Sequence, residues 1–231
     1  GAVYIFVRDD DRNWYQQAYL KASNTGELAT EEDIWNDGDQ FGFSITLSHD
    51  GNMLAVGAMA EDSAALGVNG DLLDNSAQSA GAVYVFTRRG NTWSQQAYLK
   101  PSNTSASDLF GYSVSLNAEG SVLAVGAFNE DGSPAGTNEQ QDDDVRDAGA
   151  VYVFSREGSI WSQSAYLKAS NAERADSLGT AVAISDDGNT LVASALDEDG
   201  EMTGVNTTPV DDRLNDTSAG AVYVFVRDGD G

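Results

Sequence analysis

The sequence predicts an all-β protein made of β-propeller blades, each a sheet of four antiparallel strands, and three observations predict it. The phrase FGFSITLSHDGNMLAVGA at Phe41 returns as FGYSVSLNAEGSVLAVGA at Phe110 and LGTAVAISDDGNTLVASA at Leu178. GAVYIF at Gly1 returns as GAVYVF at Gly81, Gly149 and Gly220, and WYQQAYLKASN at Trp14 returns at Trp93 and Trp161. Helical periodicity is nowhere sustained, whereas short apolar runs bounded by turn residues recur throughout. Long units of four short strands are the pattern of propeller blades, because one such sheet cannot bury both of its faces alone.

Each element of the unit follows from its own residues. The first strand, FGFSITLS, alternates apolar Phe41, Phe43, Ile45 and Leu47 with small or polar residues. The turns HDGN, NAEG and DDGN supply the positive φ that a tight hairpin needs. The second strand, MLAVGA, is apolar almost throughout, as expected of a strand covered on both faces. An acidic loop follows, then GAVYVF as third strand, a turn such as TRRGNT, and WSQQAYLK as fourth strand. The small residues of VGA and AGA allow neighbouring blades to approach closely, and the Trp, Tyr and Phe side chains fill the wedge between them.

The repeats divide the chain as one propeller region over 1–231. Residues 1–40 hold the end of a blade and an insertion; 41–100 and 110–169 are blade repeats, and 178–231 is an incomplete third. The insertion, TGELATEEDIWNDG, is unique to the first unit and carries Trp35, a candidate partner-binding aromatic whose alternative is packing on the adjacent blade. Propellers close with about 4–8 blades. Three repeats with unfinished blades at both ends therefore lead us to expect either a longer polypeptide or self-assembly through the exposed strand edges.

Thirty-seven acidic residues against twelve basic ones give a formal charge of −25, which repels phosphate backbones and anionic membrane surfaces. Nucleic acid and membrane insertion are thus not expected; no apolar run is long enough to span a bilayer. The first residues read as a strand rather than a signal peptide. There is no cysteine, so neither disulfides nor thiolate metal sites arise. His49 is the only histidine, and it falls in a hairpin turn with Asn117 and Asp186 as counterparts. A nucleophile–base pair is poorly supported, and no catalytic residue is assigned.

The acidic loops share a skeleton: Glu-Asp, four residues, Gly, one residue, Asn, four residues, Asp. Its members are Glu61, Asp62, Asn69 and Asp74; Glu130, Asp131, Asn138 and Asp143; and Glu198, Asp199, Asn206 and Asp211. Oxygen donors without His or Cys select a hard cation, and their number and kind suit Ca²⁺ better than Mg²⁺. Two alternatives stand beside this. The loops can be solvated turns, or Asp62 and its equivalents can cap backbone N–H groups at the strand ends. Asp39, Asp108 and Asp176, each just before the first strand, read as side chains bonded to the backbone of that entry turn.

The order FG, LAVGA, GAVYVF resembles the FG-GAP repeat of integrin α-subunit propellers and their bacterial relatives, over essentially the whole chain. The resemblance implies a β-propeller outside the cell, calcium in several blades, and a role in adhesion or matrix assembly with a protein or glycan ligand. One departure stands out. That family's calcium cage is an Asp-rich loop between the FG and VGA strands, where this chain has only a short turn, so those cage residues have no counterparts here. Two other classes remain beside a recognition module: a structural subunit of a surface layer or filament, and an enzyme cleaving polysaccharide or phosphoester.

Overall fold

The structure is a computed structural model and describes residues 1–25, 38–132, 144–200, 204–205 and 218–228. Trp35, Asn138, Asp143, Asn206 and Asp211 lie outside the described residues. The described residues form thirteen strands in four antiparallel sheets. The hairpin of β1 (Val3–Arg8) and β2 (Trp14–Leu20) comes first. Two complete blades follow. The first is β3 (Ser44–Leu47), β4 (Met53–Ala58), β5 (Ala82–Arg89) and β6 (Thr92–Leu99), paired in that order. The second is β7 (Ser113–Leu116), β8 (Val122–Ala127), β9 (Ala150–Glu157) and β10 (Ile160–Leu167). The last sheet has β11 (Leu178–Ile184), β12 (Thr190–Ala195) and β13 (Ala221–Val226). These are up-and-down sheets of a partial β-propeller, and no described residue is helical.

The second strand is the most buried element, as its composition requires. Every residue of β4 is buried, because one face (Met53, Ala55) packs against the second blade and the other (Leu54, Val56, Ala58) against the first hairpin. The first strand is shorter than its repeated text. Phe41 and Gly42 form a turn, and β3 begins only at Ser44. Phe41 is buried, with its ring 5.4 Å from Tyr84 and 6.0 Å from Phe86, both edge-on. Phe110 repeats this against Tyr152 and Phe154 at 5.4 and 6.0 Å.

The alternation of Phe43, Ile45 and Leu47 does not mark a buried face, which corrects the simplest reading of that pattern. Leu47 is 53% exposed, whereas its counterpart Leu116 is 8% exposed. The difference is the neighbour: β7 packs on β3, while β3 has no preceding inner strand among the described residues to cover it. The same register in the sequence thus yields burial or exposure according to what stands alongside.

Glycine sets the spacing between blades. A Cβ on Gly57 would sit 2.0 Å from the carbonyl oxygen of Gly111, and one on Gly126 would sit 2.0 Å from that of Gly179. Only a residue without Cβ permits this approach. The contact is then tied by hydroxyls: Ser44 Oγ donates to Gly111 O and Ser113 Oγ to Gly179 O, each at 2.7 Å.

Candidate functional site

The Glu of each Glu-Asp pair leaves the end of the second strand and turns into the blade junction. Glu61 is buried, and four groups converge on its carboxylate. Lys100 Nζ donates to Oε2 at 2.9 Å and Tyr98 Oη donates to Oε1 at 2.8 Å, both from the end of β6. Asn24 Nδ2, from the loop after β2, donates to Oε1 at 3.1 Å, and the Ser63 N–H donates to Oε2 at 3.1 Å. Tyr84 of β5 donates to Asn24 Oδ1, so the amide is fixed at both ends.

The second blade repeats the cluster atom for atom. Lys168 Nζ and Tyr166 Oη each lie 2.8 Å from Glu130, Asn103 Nδ2 lies at 2.9 Å and the Gly132 N–H at 3.0 Å. Tyr152 Oη holds Asn103 Oδ1 at 2.7 Å. Both lysines and both glutamates are sealed from solvent. Such a pair is held by its geometry and hydrogen bonds rather than by bare attraction, because desolvating each charge costs several kcal/mol. Burial pushes the Lys100 ammonium below its ordinary range and the Glu61 carboxylate opposes that shift. Burial and the same carboxylate push the Tyr98 hydroxyl well up, so it remains a donor.

Glu61 and Glu130, expected as calcium ligands, are engaged by protein groups. Their oxygens face an ammonium, a phenol, an amide and a backbone N–H. Four other described members of the skeleton are also engaged. Asp62 accepts the Ser79 N–H and Asp131 the Asp147 N–H, each at 2.7 Å, which is the capping alternative. Asp74 accepts the Ala64 and Ser76 N–H groups, and the Ser76 side chain with those N–H groups holds its carboxyl below the usual range. Asn69 adopts φ +56° and pairs with the Tyr98 backbone in both directions, giving its N–H at 2.7 Å and accepting at Oδ1 at 3.0 Å. The acidic loop thus lies along β6 as an edge cover, with a bridge between Val68 and Leu99. Among the described residues no group of three or more His, Asp or Glu side chains is arranged to hold a metal ion. Asp108 and Asp176 accept the Ser105 and Glu173 N–H groups, as expected of entry-turn residues.

The third sheet contains only part of the cluster. Glu198 is 7% exposed and accepts from Asn171 Nδ2 at 3.1 Å, and Tyr223 Oη donates to Asn171 Oδ1 at 2.6 Å. No lysine and no second tyrosine reaches Glu198 among the described residues. Sequence reasoning assigned the glutamates but overlooked Lys100, Lys168 and their tyrosines. The available signal was a Tyr-Leu-Lys ending on each fourth strand, in a chain with only twelve basic residues.

A second feature lies at the end of the blades where the first strand begins. Phe43, Tyr112 and Phe128 form a row with ring centroids 4.9 and 4.4 Å apart. Phe43 is exposed and the other two are half-buried. Phe43 and Tyr112 occupy the same position after the entry turns of successive blades, and Phe128 follows β8. The row therefore crosses a blade junction whose backbone spacing is fixed by Gly57 and Gly111.

Comparison with known proteins agrees with the repeat pattern. The FG-GAP repeat model matches residues 93–154 and 161–225, more than half of the chain. No curated protein matches the sequence. Among solved structures, one described as a 6-phosphogluconolactonase from Bacteroides uniformis aligns at 14% identity with a TM-score of 0.49. It covers 90% of this chain, and the chain spans about half the length of that protein.

Proposed function

The chain belongs to the FG-GAP repeat family, and on that premise we propose that it is a non-catalytic propeller module that recognises a protein or glycan outside the cell. The observation that supports this is the row of Phe43, Tyr112 and Phe128. Aromatic rings on a rigid support contribute large contact area at little cost in side-chain entropy, and such residues anchor interfaces. The row sits on the end of the blades from which the acidic loops also emerge, so a ligand there meets an apolar face.

In this reading the cation of the described loops is the buried lysine rather than calcium, since each described carboxylate of the first loop has a hydrogen-bonding task already. The test is a panel of immobilised glycans and extracellular matrix proteins probed with the chain and with Tyr112→Ala/Phe128→Ala. We expect binding to at least one member, reduced tenfold or more by the double substitution with the melting temperature nearly kept. Equal binding by both forms would contradict the proposal.

A further inference from the structure

The side chains at each blade junction hold more than an ion pair. Balancing the charge of Glu61 takes only Lys100, yet the same carboxylate also binds the Asn24 carboxamide. Its two oxygens thus hold an amine and an amide side by side, Lys100 Nζ on Oε2 and Asn24 Nδ2 on Oε1. Tyr84 Oη donates to the carbonyl oxygen of that amide at 2.5 Å. The second junction repeats every contact. Glu130 holds Lys168 Nζ on Oε2 and Asn103 Nδ2 on Oε1, and Tyr152 Oη donates to Asn103 Oδ1 at 2.7 Å. Buried tyrosine rings wall each set, Tyr84 against Tyr98 and Tyr152 against Tyr166, both with centroids 5.2 Å apart.

These are the parts of an amide transfer. A desolvated lysine that passes its proton to a neighbouring carboxylate becomes a nucleophile, and burial acts on Lys100 in that direction. The Asn24 carboxamide supplies an electrophilic carbon. The Tyr84 hydroxyl, kept protonated by burial and by the Glu61 charge, donates where an oxyanion would develop. Glu61 touches both nitrogens, so it can accept a proton from one and return it to the other. The amine and the carboxylate are sealed from solvent in both copies. Two buried charges are costly, and a reaction that removes them leaves a neutral site.

We propose that each junction is a site of intramolecular amide cross-linking, which joins Lys100 Nζ to Asn24 Cγ and Lys168 Nζ to Asn103 Cγ. The ion pair is the reactant state. Lys100 gives one proton to Glu61, and the neutral amine attacks Asn24 Cγ. A second proton passes from the attacking nitrogen to Nδ2, the Cγ–Nδ2 bond breaks, and ammonia leaves with Glu61 protonated. One C–N bond forms and one breaks; nothing is oxidised or reduced, and no co-reactant is needed. Asn24 follows β2 and Lys100 follows β6, whereas Asn103 follows β6 and Lys168 follows β10. Each bond therefore ties the outermost strands of successive sheets, in a chain that has no cysteine for disulfides. Such a link restricts the unfolded chain as a disulfide does.

Intact mass spectrometry of the purified, folded chain, followed by proteolytic peptide mapping, tests this. The mass should fall below that of the sequence by two molecules of ammonia, and linked peptides should join Asn24 to Lys100 and Asn103 to Lys168. Glu130→Gln should lose the second bond and keep the first, and the surviving bond reports that the variant still folds. Asn103→Ala, the second variant, should likewise lose one ammonia in place of two. A folded parent chain with the full sequence mass would overturn the proposal. So would ammonia loss without linked peptides, as from a succinimide at Asn69-Gly70. A second bond that forms undiminished in Glu130→Gln would overturn the role given to the glutamate and, with it, the proposed reaction.

Discussion

Lys100 Nζ lies 2.9 Å from Glu61 Oε2, and neither side chain is reached by solvent. The lysine ends the fourth strand of a blade and the glutamate follows its second strand, so the pair closes the outer half of the sheet onto the inner half. Lys100 Nζ also donates to Gly81 O at 2.6 Å, just before β5. One ammonium thus joins three segments.

Lys100→Met should therefore destabilise strongly. The substitution keeps the volume but leaves Glu61 buried without a cation, a loss of about 3–5 kcal/mol. Urea unfolding followed by tryptophan fluorescence checks this. A change below about 1 kcal/mol would show that the carboxylate finds water or another partner.

Gly126→Ala addresses the spacing between blades. The new methyl would meet the Gly179 carbonyl at 2.0 Å, so the inner strands must separate. Overpacking of this kind costs about 2–3 kcal/mol. Gly90→Ala is the comparison: it tests a turn glycine at φ +62° with open space around it, where strain alone acts and the loss should be smaller.

Asp176 gives a pH dependence. Burial raises its carboxyl to about 6, and the Glu198 and Asp199 carboxylates push the same way against the Glu173 N–H. The folded state then holds this proton more tightly than the unfolded chain, whose value is 3.8. Stability from this group is present at low pH and is lost as pH rises from about 4 to about 6. Asp176→Asn should flatten that window and add on the order of 1 kcal/mol at pH 7, after allowance for solvent screening. Urea midpoints at pH 4 and pH 7 for both forms test it.

Chelation separates the lysine account from a calcium account. If the described loops are closed by Lys100, Lys168 and backbone N–H groups, dialysis against EDTA should leave the melting temperature unchanged, and added Ca²⁺ should not raise it. A shift of several degrees in either direction would place a bound cation in the folded state.

The fold was legible because repetition carries it: three copies of one phrase, with glycines where backbones meet and an apolar second strand, leave few architectures. The exposure of Ile45 and Leu47 was not legible, since alternation reports a strand but not whether another blade stands beside it. The acidic loops were legible only in part, for a physical reason. Composition shows that oxygens are available, but only coordinates show that Glu61 turns inward to meet Lys100, 39 positions away across the blade. Asp62 was readable in outline, because a carboxylate at a strand end has N–H groups within reach, whereas the two-way pairing of Asn69 with Tyr98 depends on a loop folding back along β6.

The most direct test of the central claim, that a buried lysine rather than an ion neutralises the recurring glutamate, is a double-mutant cycle on Glu130 and Lys168. Glu130→Gln, Lys168→Met and the double variant would be unfolded in urea alongside the parent. The account predicts that each single change costs about 3 kcal/mol or more and that the double costs far less than their sum, a coupling of at least about 2 kcal/mol. Additive losses, with coupling near zero, would contradict it.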